Sequence, residues 1–121
     1  GDGGFMFNVQ EMATAVRHGI NLVAVVFNDG AFGNVQRIQK LRYGNRTIAS
    51  DLTNPDFGKL ADSFGVASLR ATSPRALQDH LEEAFRMDAP VLIEAPVGEM
   101  PDPWSSVLKL PKVRGQVPLQ G

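Results

Sequence analysis

Residues 22–27 read LVAVVF, an unbroken apolar run rich in β-branched side chains, bounded by Asn21 and by Asn28-Asp29-Gly30. A strand with one wet face alternates apolar and polar residues, and this one does not. The run therefore predicts a strand buried on both faces, as in a parallel sheet covered by helices. That narrows the fold more than any other feature, because parallel strands need long crossovers, usually helical.

The flanking sequence supplies them. Phe5, Val9, Met12, Ala13 and Val16 fall at helical spacing, so a helix is predicted from Phe5 to Val16, with Arg17 and His18 at its negative end and Gly19 as the stop. A second helix is expected from about Phe32 to Arg42. A third follows Asn54 as N-cap and Pro55 in the first turn, with Phe57, Leu60, Ala61 and Phe64 on one face before Gly65. Residues 66–71 suit a short strand. Ser73-Pro74 opens a fourth helix striped by Leu77, Leu81, Ala84 and Phe85, and residues 90–97, PVLIEAPV, form the last strand. The expected fold is α/β: an open, mostly parallel sheet with helices on both faces. Residues 1–98 are expected to form the domain and residues 99–121, rich in proline, an extended and partly disordered tail. No strand precedes the glycine turn at Gly1, so the chain is expected to be part of a longer enzyme whose first strand lies upstream, with the 22–27 strand central.

Several function classes drop out. A formal charge of −1 gives no field to gather nucleic acid or an anionic membrane, and no cysteine is present for thiolate chemistry. The apolar run is far short of the ~20 residues that span a bilayer. A cytoplasmic setting is expected. His18 and His80 suit a helix end and a polar helix face, Phe5, Met6 and Met12 suit the core, and Arg37, Lys40, Arg42 and Arg46 suit a solvated face.

One constellation carries chemistry. GDGG starts the first helix, and 24 residues (4–27) separate Gly3 from Asn28 at the end of the apolar strand. Loops leaving adjacent parallel strands at their carboxyl ends lie side by side, which brings Asp2 and Asn28 to one crevice. Glycine amides and a helix N-terminus favour a diphosphate, yet Asp2 repels it. A Mg²⁺ ion between them reverses this, because it takes carboxylate, amide, carbonyl and phosphate oxygens. Asp2 would supply charge, Asn28 a neutral oxygen, and the Asn28-Asp29-Gly30 turn a backbone carbonyl.

GDG, the spacer and the asparagine closing an apolar strand resemble the motif of thiamine-diphosphate-dependent enzymes. The stretches QEMATAVRHGINLVAVVFND, NPDFGKLADSFG and APVLIEAPV are similar to acetolactate synthases and related 2-oxo acid decarboxylases. The resemblance implies the C-terminal, diphosphate-binding domain, with thiamine diphosphate and Mg²⁺ as cofactors. It implies Asp2 and Asn28 as side-chain metal ligands, the Gly30 carbonyl as a third, and Gly3, Gly4, Phe32 and Gly33 around the diphosphate. Where the family often has Asn-Asn, this chain has Asn28-Asp29, and the ligand role is given to Asn28. Gly33, Asn34, Val35 and Ile38 stand where acetolactate synthases usually carry Gly-Met-Val and then a tryptophan.

By the same resemblance, the activating glutamate lies on a pyrimidine-binding domain of a second subunit. None of Glu11, Glu82 or Glu83 is placed for that task, so no catalytic residue is expected in this chain, and a homo-oligomer is. The expected reaction is decarboxylation of a small 2-oxo acid, with or without ligation to a second carbonyl. A simple decarboxylase, an aldehyde lyase and a non-catalytic dimerisation module are the alternatives.

Overall fold

The computed structural model describes residues 1–102. Its elements in chain order are α1 (Asp2–Met6), α2 (Glu11–Arg17), β1 (Val23–Asn28), α3 (Gly33–Arg42), α4 (Phe57–Phe64), β2 (Ala67–Arg70), α5 (Pro74–Arg86) and β3 (Val91–Pro96). The three strands form one parallel sheet in the order β1-β3-β2. Helices cover both faces, as the apolar run predicts.

Side-chain alternation divides β3 between two cores. Leu92 joins Val26 of β1 under α2 and α4, where Met12, Phe57, Ala61 and Val66 complete a buried cluster. Val91 and Ile93 point the other way, to Ala71 and to Ala84 of α5. The α5 start is as the sequence indicates: Ser73 Oγ accepts from the Ala76 N–H at 3.1 Å, with Pro74 in the first turn. At the far end of α4, Gly65 takes the left-handed conformation at φ 74°.

Four details differ from the sequence reading. The 5–16 helix is two helices, because the Phe7 and Asn8 N–H groups bond to the carbonyls three residues back, of Gly4 and Phe5. Such tight bonds wind the chain out of α geometry, and past them Ala13 and Val16 face solvent while Ala15 is buried. Phe85, assigned to the α5 stripe, is 72% exposed. The α4 N-cap is Asp56, whose carboxylate accepts from the Lys59 N–H at 3.0 Å, and not Asn54. Finally, β3 is the central strand, and β1 lies at an edge of the sheet among the described residues, with Phe27 exposed.

The start of the expected tail is tied to α3. Arg37 donates to the Met100 carbonyl and lies 3.9 Å from Asp102, and Lys40 lies 3.9 Å from Glu99. The rest of the expected tail, with Trp104, lies outside the described residues. Among the described residues no helix is long and apolar enough to cross a membrane.

Candidate functional site

The β1 strand ends at Asn28, and the chain turns sharply through Asp29 and Gly30, the latter at φ 68°. That left-handed angle suits glycine. The turn is met from two sides. The first is α1, which sets Asp2 against it. The second is the 45–56 loop, pinned by main-chain bonds from Phe32 N–H to the Ser50 carbonyl and from Leu52 N–H to the Gly30 carbonyl, both 2.8 Å.

Asp2 is 1% exposed. Its Oδ2 accepts from the Gly30 N–H at 3.0 Å and from Asn54 Nδ2 at 2.5 Å. Its Oδ1 is buried with no donor at all. Burial pushes the Asp2 pKa up. The Asn54 amide, the Gly3 N–H, the neighbouring Asp29 side chain and the Gly30 N–H outweigh it, and the carboxyl is held below its usual value. With Oδ1 buried and without a partner, a cation is the natural third party.

Asn54 also donates to Asn28 Oδ1 at 2.9 Å, and Asn28 Nδ2 donates to Glu94 Oε1 at 2.8 Å. Glu94 Oε2 lies 3.6 Å from Arg70 Nη1. Across the sheet Glu94 is in register with Val26 and Arg70, so Asn28, two residues beyond Val26, shares its face.

Most of the residues singled out in the sequence meet here. Asp2, Asn28 and Gly30 join through Asn54 and the Gly30 amide. Gly3 is packed from the side: a Cβ there would lie 2.5 Å from the Phe32 ring and 2.9 Å from Leu52. Gly33, the first residue of α3, leaves room for Asp29, since a Cβ would come within 2.8 Å of its Oδ2. Gly4 faces open space. Phe32 stacks on Phe7 with ring centroids 6.3 Å apart. Both line a cavity of about 280 Å³ with Gly3, Met6, Leu52, Thr53, Asn54 and Pro55.

Three members were not read from the sequence as parts of the site: Asp29, Asn54 and Glu94. Asp29 was visible as an acid in the turn. Asn54 and Glu94 reach the turn only through loop folding and strand pairing, which no local pattern announces.

The donor set suits a hard cation. Among the described residues no three acidic, histidine or cysteine side chains converge, so an ion here would complete its shell with amide, carbonyl or phosphate oxygens.

Comparison with known proteins gives the same frame. Residues 1–95 match the family described as thiamine pyrophosphate enzyme, C-terminal TPP binding domain. The chain is 40% identical over 117 residues to an acetolactate synthase of Bacillus subtilis, covering 97% of this chain and 20% of that protein. It is 37% identical over 112 residues to a probable acetolactate synthase large subunit of Methanococcus aeolicus, covering 92% of this chain and 18% of that protein. The chain thus spans about a fifth of the length of these relatives. In fold it is similar to benzoylformate decarboxylase from Polynucleobacter necessarius, with a TM-score of 0.77 at 24% identity over 84% of this chain and 19% of that one. With residues 1–95 matched and relatives at this level of identity, the chain belongs to the thiamine pyrophosphate enzyme family as a C-terminal TPP-binding domain.

Proposed function

We propose that this domain holds the diphosphate of thiamine diphosphate through a Mg²⁺ ion, within an enzyme that decarboxylates small 2-oxo acids. The observation that carries the reading is Asp2 Oδ1, a buried carboxylate oxygen with no donor, beside a second carboxyl group at Asp29. A buried oxygen left unsatisfied costs about 1–3 kcal/mol, and more if charged. A divalent ion removes that cost and turns repulsion of the diphosphate into attraction.

Asp2 and Asn28 are the candidate side-chain ligands. Asn28 Oδ1 accepts from Asn54 and has a second lone pair to offer an ion, while its Nδ2 is held by Glu94. The Gly30 carbonyl accepts from Leu52 and keeps a second lone pair for an ion. The bond to Glu94 braces Asn28 in that orientation. Gly3, Gly4 and Gly33 keep side chains away from the space at the two helix starts, and Phe32 closes one wall.

The bound cofactor supplies carbanion stabilisation next to a carbonyl group. This chain binds and orients its diphosphate end. The pyrimidine end and its activating glutamate come from another domain of the same enzyme, on a second subunit of a homo-oligomer. Ligation of the product to a second carbonyl, as in acetolactate synthesis, fits the same site, as does simple decarboxylation.

Calorimetric titration with thiamine diphosphate, with and without Mg²⁺, tests the reading. Binding that requires Mg²⁺ is expected. Absence of binding in the presence of Mg²⁺ would leave the domain as an assembly module.

A further inference from the structure

Glu94 is the one acidic residue of the central strand, only 12% exposed at its side chain, yet it belongs to neither hydrophobic cluster. A carboxylate in that position is expensive to bury unless its charge serves something. Its two oxygens face different partners: Oε1 takes the Asn28 amide nitrogen at 2.8 Å, and Oε2 faces the Arg70 guanidinium at 3.6 Å.

Polarity follows from this arrangement. An ionised carboxylate only accepts, so Asn28 must present its Nδ2 to Glu94 and its Oδ1 away from it. Asn28 Oδ1 then needs a donor and receives one from Asn54 Nδ2 at 2.9 Å. With its nitrogen turned inward, Asn54 also donates to Asp2 Oδ2 at 2.5 Å. Together with the Gly30 N–H, that occupies Oδ2 and leaves Oδ1 as the only donor-free oxygen of the carboxylate. An asparagine turned the other way at either position would aim an acceptor at an acceptor.

We propose that Glu94 is a positioning residue that fixes the hydrogen-bond direction of the Glu94–Asn28–Asn54–Asp2 chain, and so presents one carboxylate oxygen of Asp2 to the cation. The inference rests on the metal–diphosphate reading above. It places the control of metal affinity on a strand residue that the reading does not require to touch metal, cofactor or substrate.

Glu94→Gln tests it with almost no change in shape. A glutamine offers one oxygen where Glu94 offers two. Arg70 can only donate and competes for that oxygen, which turns the amide nitrogen toward Asn28 and reverses the chain. Removing Arg70 in the same variant frees the oxygen for Asn28 and restores the direction. Arg70 is 65% exposed at its side chain, so its truncation is readily accommodated.

The measurement is calorimetric titration of the intact protein with thiamine diphosphate and Mg²⁺, alongside melting of each metal-free variant. Glu94→Gln is expected to weaken Mg²⁺-dependent binding about tenfold to a hundredfold, as loss of an outer partner of a metal ligand does. The double variant Glu94→Gln/Arg70→Ala is expected to recover most of that loss. A purely structural glutamate predicts the opposite, since the double variant removes one contact more. Wild-type binding matched by Glu94→Gln, or a double variant as weak as the single, overturns the inference and leaves the metal–diphosphate reading standing. Failure of the wild type to bind overturns both.

Discussion

One amide nitrogen of Asn54 donates to two residues far back in the chain, Asp2 at 2.5 Å and Asn28 at 2.9 Å. Asn54 thereby joins the start of α1 to the end of β1, two points that the sheet alone brings near but does not connect. Its truncation should loosen both. Asn54→Ala is expected to weaken Mg²⁺-dependent binding of thiamine diphosphate about tenfold or more, read by titration calorimetry. Unchanged affinity would separate the loop from the site.

The proposed ligands can be ranked. Asp2→Ala should abolish Mg²⁺-dependent binding, since it removes the buried donor-free oxygen. Asn28→Ala removes a neutral oxygen and should weaken it less than Asp2→Ala. Unchanged affinity in Asn28→Ala would take Asn28 out of the ligand set.

Acid sensitivity has a definite sign. The Asp2 pKa lies below 3.8, because its hydrogen-bond donors outweigh burial. A group depressed on folding contributes stability that is complete above its unfolded pKa and is lost as pH falls through the folded one. In metal-free buffer, wild type should therefore lose stability relative to Asp2→Asn as pH drops below 3.8. Chemical denaturation of both proteins across that range checks it. A difference that stays flat or grows in acid would contradict the hydrogen-bonded, ionised Asp2.

Gly3→Ala should destabilise the metal-free fold by about 1–3 kcal/mol, the usual cost of overpacking. The added methyl meets the Phe32 ring and Leu52, both parts of the wall beside the site. Pairing it with Phe32→Leu should return part of the loss. Thermal melts of the single and double variants give the answer.

Self-association of the 121-residue chain is expected. Among the described residues β1 has a neighbour on one side only, and Ile20, Leu22 and Phe27 are exposed around it. An unpaired edge beside apolar side chains favours pairing with a second chain. Light scattering after size exclusion at micromolar concentration should show dimers or larger species. A compact monomer would mean that the edge is protected.

Much of this was legible in the sequence, for identifiable reasons. The apolar run at 22–27 and the cap-and-proline start of α5 are local signals, and both elements form, although of the β1 side chains only Val26 is fully buried. Asp2 and Asn28 could be brought to one crevice because parallel topology fixes where strand ends lie. The break between α1 and α2 could not be read, since a helical stripe looks the same across a tight turn. Asn54 invited a capping role because Pro55 follows it, yet Asp56 takes the cap and frees Asn54 for partners 52 and 26 residues away. Glu94 sat inside a run that reads as strand, where only the pairing with β1 and β2 gives it a purpose.

The loop that carries Asn54 is fastened by main-chain groups, through Phe32 to Ser50 and Leu52 to Gly30. Main-chain fastening is indifferent to which side chain a residue bears but strict about how many residues there are. Asn54 stands two positions past the last fastening at Leu52, a reach of about 7 Å along an extended chain. The stretch between Leu52 and Asn54 is thus measured by its length: Thr53 is exposed and replaceable, while one residue added or removed there carries the amide out of reach of Asp2.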